Sequence, residues 1–129
     1  MGAGTCIATV RVLIADDHRP FVEALEAVLG TEAELEVVGS AADGREALAL
    51  ARTLEPDVVL LDISMPVMDG FEAAALITKL PTKPAVLMLS GSNAPQDIDQ
   101  ARRSGASGYV TKDSIAARLV TAILAAAAA

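Results

Sequence analysis

Four short apolar runs in this chain each stop at a residue with site chemistry, and that recurrence constrains the fold more than any other feature. Val10 to Ala15 runs into Asp16 and Asp17, Val58 to Leu61 into Asp62, and Ala85 to Leu89 into Ser90, while Gly108 to Val110 ends just before Lys112. Helical patterns separate the runs. Short strands alternating with helices are the signature of βαβ units, hence of a parallel sheet with right-handed crossovers. Ligand sites of open α/β sheets lie at the carboxyl ends of strands, so three carboxylates, a hydroxyl and an ammonium are expected on one edge.

Five rounds of this alternation are visible after a small-residue tail, 1–9, expected to be flexible. The first helix starts near Pro20, which suits a first turn, carries Phe21, Leu25, Val28 and Leu29 on one face, and stops at Gly30. Leu35 to Val38 reads as the second strand. In the second helix Asp43 and Glu46 stand at capping-box spacing, Ala47, Leu50, Ala51 and Leu54 face inward, and Pro56 follows the end. Asp69 and Glu72 repeat that spacing before a third helix with the stripe Ala73, Leu76, Ile77 and Leu80, and Pro81 and Pro84 bracket its exit. The fourth helix, Pro95 to Ser104, has only Ile98 and Ala101 as apolar anchors, so a short, mobile element is expected. Gly105 and Gly108 frame the turn into the fifth strand. The last helix runs from about Asp113 with Ile115, Leu119, Val120, Ile123 and Leu124 inward.

Composition agrees with this reading. The chain is 53% hydrophobic, yet its aromatics are Phe21, Phe71 and Tyr109, so the core is built from Val, Leu, Ile and Ala, as in helix-covered parallel sheets. A formal charge of -7 argues against direct nucleic-acid binding, which rests on Lys and Arg neutralising phosphates. The single cysteine, Cys6, excludes an internal disulfide and fits a reducing compartment. The first residues lack a basic n-region, and no apolar run approaches the ~20 residues needed to cross a bilayer. A soluble cytoplasmic protein with no membrane association is expected.

Two adjacent carboxylates after one strand and a third after another repel unless a cation sits among them. A hard divalent ion, Mg²⁺, suits an acidic oxygen site that solvent can reach. With no Cys cluster and one His, zinc is not favoured. A carboxylate can also attack phosphorus to form an aspartyl phosphate if charge on the transferring group is neutralised. Asp62 is the central candidate, with Lys112 pairing one phosphoryl oxygen and the Ser90 hydroxyl donating to another.

The chain resembles the receiver domain of bacterial two-component response regulators. The likeness covers about Val10 to Leu124 and rests on Leu13-Ile14-Ala15-Asp16-Asp17-His18, the run from Asp57 to Gly70 containing Asp62-Ile63-Ser64-Met65-Pro66, then Leu89-Ser90, and Gly105-Ala106-Ser107-Gly108-Tyr109-Val110-Thr111-Lys112-Asp113. The wording is most similar to receivers that precede a LuxR-type helix-turn-helix domain. The resemblance implies a (βα)5 flavodoxin-like α/β fold with strand order 2-1-3-4-5. It implies Asp62 as phosphoacceptor from the phosphohistidine of a sensor histidine kinase, and Mg²⁺ held by Asp17, Asp62 and the Ser64 backbone carbonyl, with Asp16 acting through water. It also implies Ser90 and Tyr109 as a switch pair that repacks the face of the fourth helix, fifth strand and fifth helix. That face, or the fifth helix alone, is a candidate homodimer surface. Helix 5 has no charge after Arg118, which fits an interaction surface. Slow self-dephosphorylation is implied, but not enzyme turnover.

Asp113 stands where many receivers have a proline, so no cis bond is expected there and Asp113 is expected to help cap the fifth helix. Arg102 stands where a leucine is common in the fourth helix. His18 belongs to the helix 1 entry, and Ser64 and Ser92 flank the expected phosphoryl group. The domain is expected over 10–129, with no output domain in the chain. Two other readings are a receiver-like docking module without phosphorylation and a haloacid dehalogenase-like phosphatase. The second lacks the acid two residues after the nucleophile, where this chain has Ser64.

Overall fold

A computed structural model describes residues 9–91 and 94–128 of the 129. The expected tail and Ser92 therefore fall almost wholly or wholly outside the described residues. The strands are β1 (Val10–Ala15), β2 (Leu35–Ala41), β3 (Val58–Asp62), β4 (Ala85–Ser90) and β5 (Gly108–Thr111). They form one parallel sheet in the order β2-β1-β3-β4-β5, the flavodoxin-like order expected. The direction of strand addition reverses between β1 and β3. A crevice opens at that point because the crossovers from the two strands leave on opposite faces.

Helices cover both faces, which is why β3 is buried from end to end and carries no polar residue before Asp62. On one face α1 (Arg19–Leu29) and α5 (Ile115–Ala128) bury Val22, Leu25, Leu29, Leu119 and Ile123 against Val12, Ile14, Leu60 and Leu89. On the other, α2 (Gly44–Leu54), α3 (Gly70–Ile77) and α4 (Pro95–Arg103) bury Ala47, Ala51, Ala73, Ile77 and Ala101 against Leu13, Val59, Leu61 and Met88. Alternating strand residues thus feed two separate cores. The many alanines let the helices lie close to the sheet.

Both capping motifs form. The Asp43 and Asp69 carboxylates accept from the backbone N–H of Glu46 and Glu72 at 2.8 and 2.9 Å, and Glu46 reciprocates by accepting from the Ala42 N–H. Several expectations are corrected. Val28 and Leu76 are 42% and 41% exposed, because Val22 and Ala74 occupy the inward arcs of their helices. Phe21 is only half-buried, and α3 ends at Ile77, leaving Leu80 buried beyond the helix. β2 continues through Gly39, Ser40 and Ala41, which pair with Leu13 to Ala15 after a bulge between Val12 and Leu13. Backbone pairing, not hydrophobicity, defines that edge. Asp113 does not cap α5: a 3₁₀ turn, Lys112–Ser114, intervenes, and the Asp113 carboxylate accepts weakly from the Ser114 hydroxyl at 3.4 Å. No cis peptide occurs among the described residues. No described helix is long and apolar enough to cross a membrane.

Candidate functional site

The carboxyl ends of β1, β3 and β5 bring Asp16, Asp17, Asp62 and Lys112 together. One carboxylate oxygen from each of the three acids lies within 4.8 Å of the others. Asp16 is buried, Asp62 is 7% exposed and Asp17 is open to solvent. Burying ionised carboxylates is costly without partners. Lys112 Nζ donates to Asp16 Oδ2 at 2.9 Å and lies 3.4 Å from Asp62 Oδ1. The other oxygen of Asp16 accepts from the His18 backbone N–H at 2.9 Å. His18 itself sits at the N-cap of α1, at the helix entry as expected, with its side chain exposed.

One ammonium does not balance three acids. Burial, then the charge of Asp16, push the Asp62 carboxyl up from 3.8 to about 6, with Asp17 adding to the rise and Lys112 opposing it. At Lys112 burial favours the neutral amine, but the hydrogen bond to Asp16 and the charges of Asp62 and Asp16 outweigh it and raise its pKa. The pocket therefore presents an all-oxygen donor set with excess negative charge, which suits a hard cation, and in Asp62 a carboxyl at a strand end able to act as a nucleophile.

Ser90 is buried at the end of β4, one position beyond Leu89, the register partner of Asp62. It therefore borders the pocket from the neighbouring strand. Tyr109 pairs with Met88 and is half-buried against the core under α2 and α3. It lies on the path from the strand end toward α4, beside Ile98 and Ala101. Ser64 is exposed in the loop directly after Asp62. That loop is anchored at both ends, by Ile63 N–H donating to Leu89 O at 3.1 Å and Gly70 N–H donating to Ile63 O at 2.8 Å.

Three features escaped sequence reasoning. The Lys112 ammonium stands 4.3 Å from the Phe21 ring centroid, whereas Phe21 read only as helix packing. Val67 has φ 70 and centres a tight turn closed by Met68 N–H donating to Pro66 O at 2.7 Å, with no glycine to signal it. Gly70 packs its backbone against that of Asp62, leaving no room for a Cβ. A glycine after a capping Asp was the available signal for the last.

Comparison with known proteins agrees with this geometry. Residues 12–124 match the family described as response regulator receiver domain. The chain is 42% identical over 117 residues to NarL of Mycobacterium tuberculosis, a transcriptional regulatory protein by its name, covering 89% of this chain and 53% of that one. It is 40% identical over 115 residues to the transcriptional regulatory protein LnrK of Bacillus subtilis, covering 89% and 52%. The chain thus spans about half the length of these curated relatives. Among solved structures, the signal receiver domain of M. tuberculosis NarL superposes with TM-score 0.88 at 39% identity, covering 93% of this chain and 97% of that one. A matching strand order, a strand-end acid pocket and a family match over nearly the whole sheet lead to one conclusion: this chain belongs to the response regulator receiver domains.

Proposed function

We propose that the domain is a phosphorylation switch in which Asp62 accepts a phosphoryl group from the phosphohistidine of a sensor histidine kinase. The observation that carries this is the convergence of Asp16, Asp17, Asp62 and Lys112 around one carboxyl at the end of β3. In the step, an Asp62 oxygen forms the new P–O bond as the P–N bond to imidazole breaks, and the imidazole nitrogen keeps the electron pair. Lys112, already between Asp16 and Asp62, pairs with a phosphoryl oxygen, and the Ser90 hydroxyl donates to another.

The acids fit Mg²⁺, with Asp17, Asp62 and the Ser64 carbonyl as ligands. Both Asp16 oxygens already accept hydrogen bonds, from Lys112 and from the His18 N–H, which supports its acting through water. When bound, the ion neutralises the pocket's excess charge and that of the phosphoryl oxygens. Movement of Ser90 toward the phosphoryl group and of Tyr109 inward then repacks α4, β5 and α5. That face passes the signal to a transcriptional output module or to a second copy of the chain. The domain works as a cytoplasmic phosphoacceptor that assists its own phosphorylation and slow dephosphorylation, not as a turnover enzyme.

The test is incubation with acetyl phosphate and Mg²⁺ followed by intact-mass measurement. One added phosphoryl group is expected on the wild type and none on Asp62→Asn or after chelation. Equal labelling of Asp62→Asn would overturn the assignment.

A further inference from the structure

Among the described residues, the ammonium of Lys112 is approached from three different elements: by Asp16 after β1, Asp62 at the end of β3, and the ring of Phe21 in the first turn of α1. At 4.3 Å from the ring centroid the cation lies within the range over which an aromatic quadrupole attracts it. The two carboxylates draw Nζ toward the acids, but 27% of the lysine side chain stays exposed, so water competes for the ammonium. A long, flexible stem with a compact charge does not hold one position by itself. A ring face adds a direction to the hold that carboxylates alone do not supply. The groove that Phe21 shares with Ala24, Leu25, Val28 and Ile115 is also lined by Lys112 and Asp113, so the ring stands where an aliphatic wall meets charged side chains.

We infer that Phe21 is a positioning residue whose ring face holds the Lys112 ammonium at the accepting edge of the pocket before a phosphoryl group arrives. The role in the reaction rests on the reading of Asp62 as phosphoacceptor. The contact itself does not. Once the Asp62 oxygen is phosphorylated, forming an acyl phosphate, the carboxylate charge is lost as a partner of Lys112, and the ring and Asp16 then keep the ammonium facing the phosphoryl oxygens.

Two measurements on the wild type, Phe21→Leu and Phe21→Tyr decide this. In the first, N-hydroxysuccinimidyl acetate labels lysines in metal-free protein, and site-resolved mass spectrometry gives the acetylation rates of Lys112, Lys79 and Lys83. In Phe21→Leu the Lys112 rate is expected to rise about three- to tenfold, as the loss of a partly exposed cation–π contact implies. Phe21→Tyr, which keeps the ring face, is expected to stay near wild type, and Lys79 and Lys83 are expected to be unchanged in both. In the second, Phe21→Leu is expected to slow phosphorylation by saturating acetyl phosphate by a similar factor, with Mg²⁺ affinity unchanged and Phe21→Tyr restoring the rate. Unchanged Lys112 labelling in Phe21→Leu would overturn the contact, as would an equal rise in Phe21→Tyr. A labelling change with no effect on phosphorylation would overturn the positioning role. A wild type that takes up no phosphoryl group would remove the reading of Asp62, while the labelling would still judge the ring's hold on Lys112.

Discussion

Removing the charge of Asp62 is expected to stabilise the metal-free domain at neutral pH, although it also removes a partner of Lys112. Burial and Asp16 raise the Asp62 carboxyl from 3.8 to about 6. Between those values the native chain holds a proton that the unfolded chain has released. Stability associated with the protonated carboxyl is therefore fully present below 3.8 and is lost as pH rises through about 6. A displacement of about two pH units at ~1.36 kcal/mol each amounts to about 3 kcal/mol at pH 7. Asp62 is 7% exposed, so water screens little of it. Asp62→Asn keeps the shape and is neutral at every pH, and Lys112 retains Asp16 at 2.9 Å. The assay is urea unfolding of both proteins in a chelator from about pH 4 to 8, where their difference cancels the titrating groups that do not interact with Asp62. The advantage of Asp62→Asn is expected to grow from near zero at about pH 4 to roughly 2–3 kcal/mol at pH 7. For a domain of this size that corresponds to roughly 10 °C in Tm. Added Mg²⁺ is expected to close the gap by stabilising the wild type. A gap that does not change with pH, or a variant less stable than wild type at pH 7, would refute the picture of an over-charged acid pocket.

Two further substitutions test how the loop after Asp62 is built. Gly70→Ala would drive a Cβ into the Asp62 carbonyl oxygen and to 2.9 Å from Ile63 Cα and Met88 Cε, so a loss of about 2–3 kcal/mol or more is expected in urea unfolding. A loss under about 0.5 kcal/mol would show that the loop relaxes freely. Val67 is 76% exposed and contributes little packing, while its φ of 70 is strained for a β-branched residue. Val67→Gly is expected to raise stability by about 1 kcal/mol, relief of strain exceeding the added chain entropy, and a shift in the opposite direction would contradict that balance.

Much of this protein is legible before folding because its rules act over a few residues. Alternation of apolar runs with helical periodicity, the acid caps at Asp43 and Asp69, and the placing of Asp16, Asp17, Asp62, Ser90 and Lys112 at strand ends all follow from local spacing. The strand order itself came from the family resemblance. Where local rules were ambiguous, tertiary packing chose. Helix periodicity alone did not separate Val22 from Val28 or Ala74 from Leu76, since only the sheet beneath decides which arc is covered. Gly39 to Ala41 became strand because β1 offered them partners.

The site divides in the same way. The amino-acid sequence by itself determined which residue types stand at the strand ends and therefore what chemistry is available. Their mutual distances depend on residues far apart in the chain, such as Lys112 and Asp16, which are separated by 96 positions yet joined at 2.9 Å. Only the sheet brings those ends together. The raised Asp62 carboxyl, the two-sided hold on Asp16 and the ring beside Lys112 are consequences of that assembly, because burial, Coulomb interaction and cation–π attraction depend on separation in space and not along the chain.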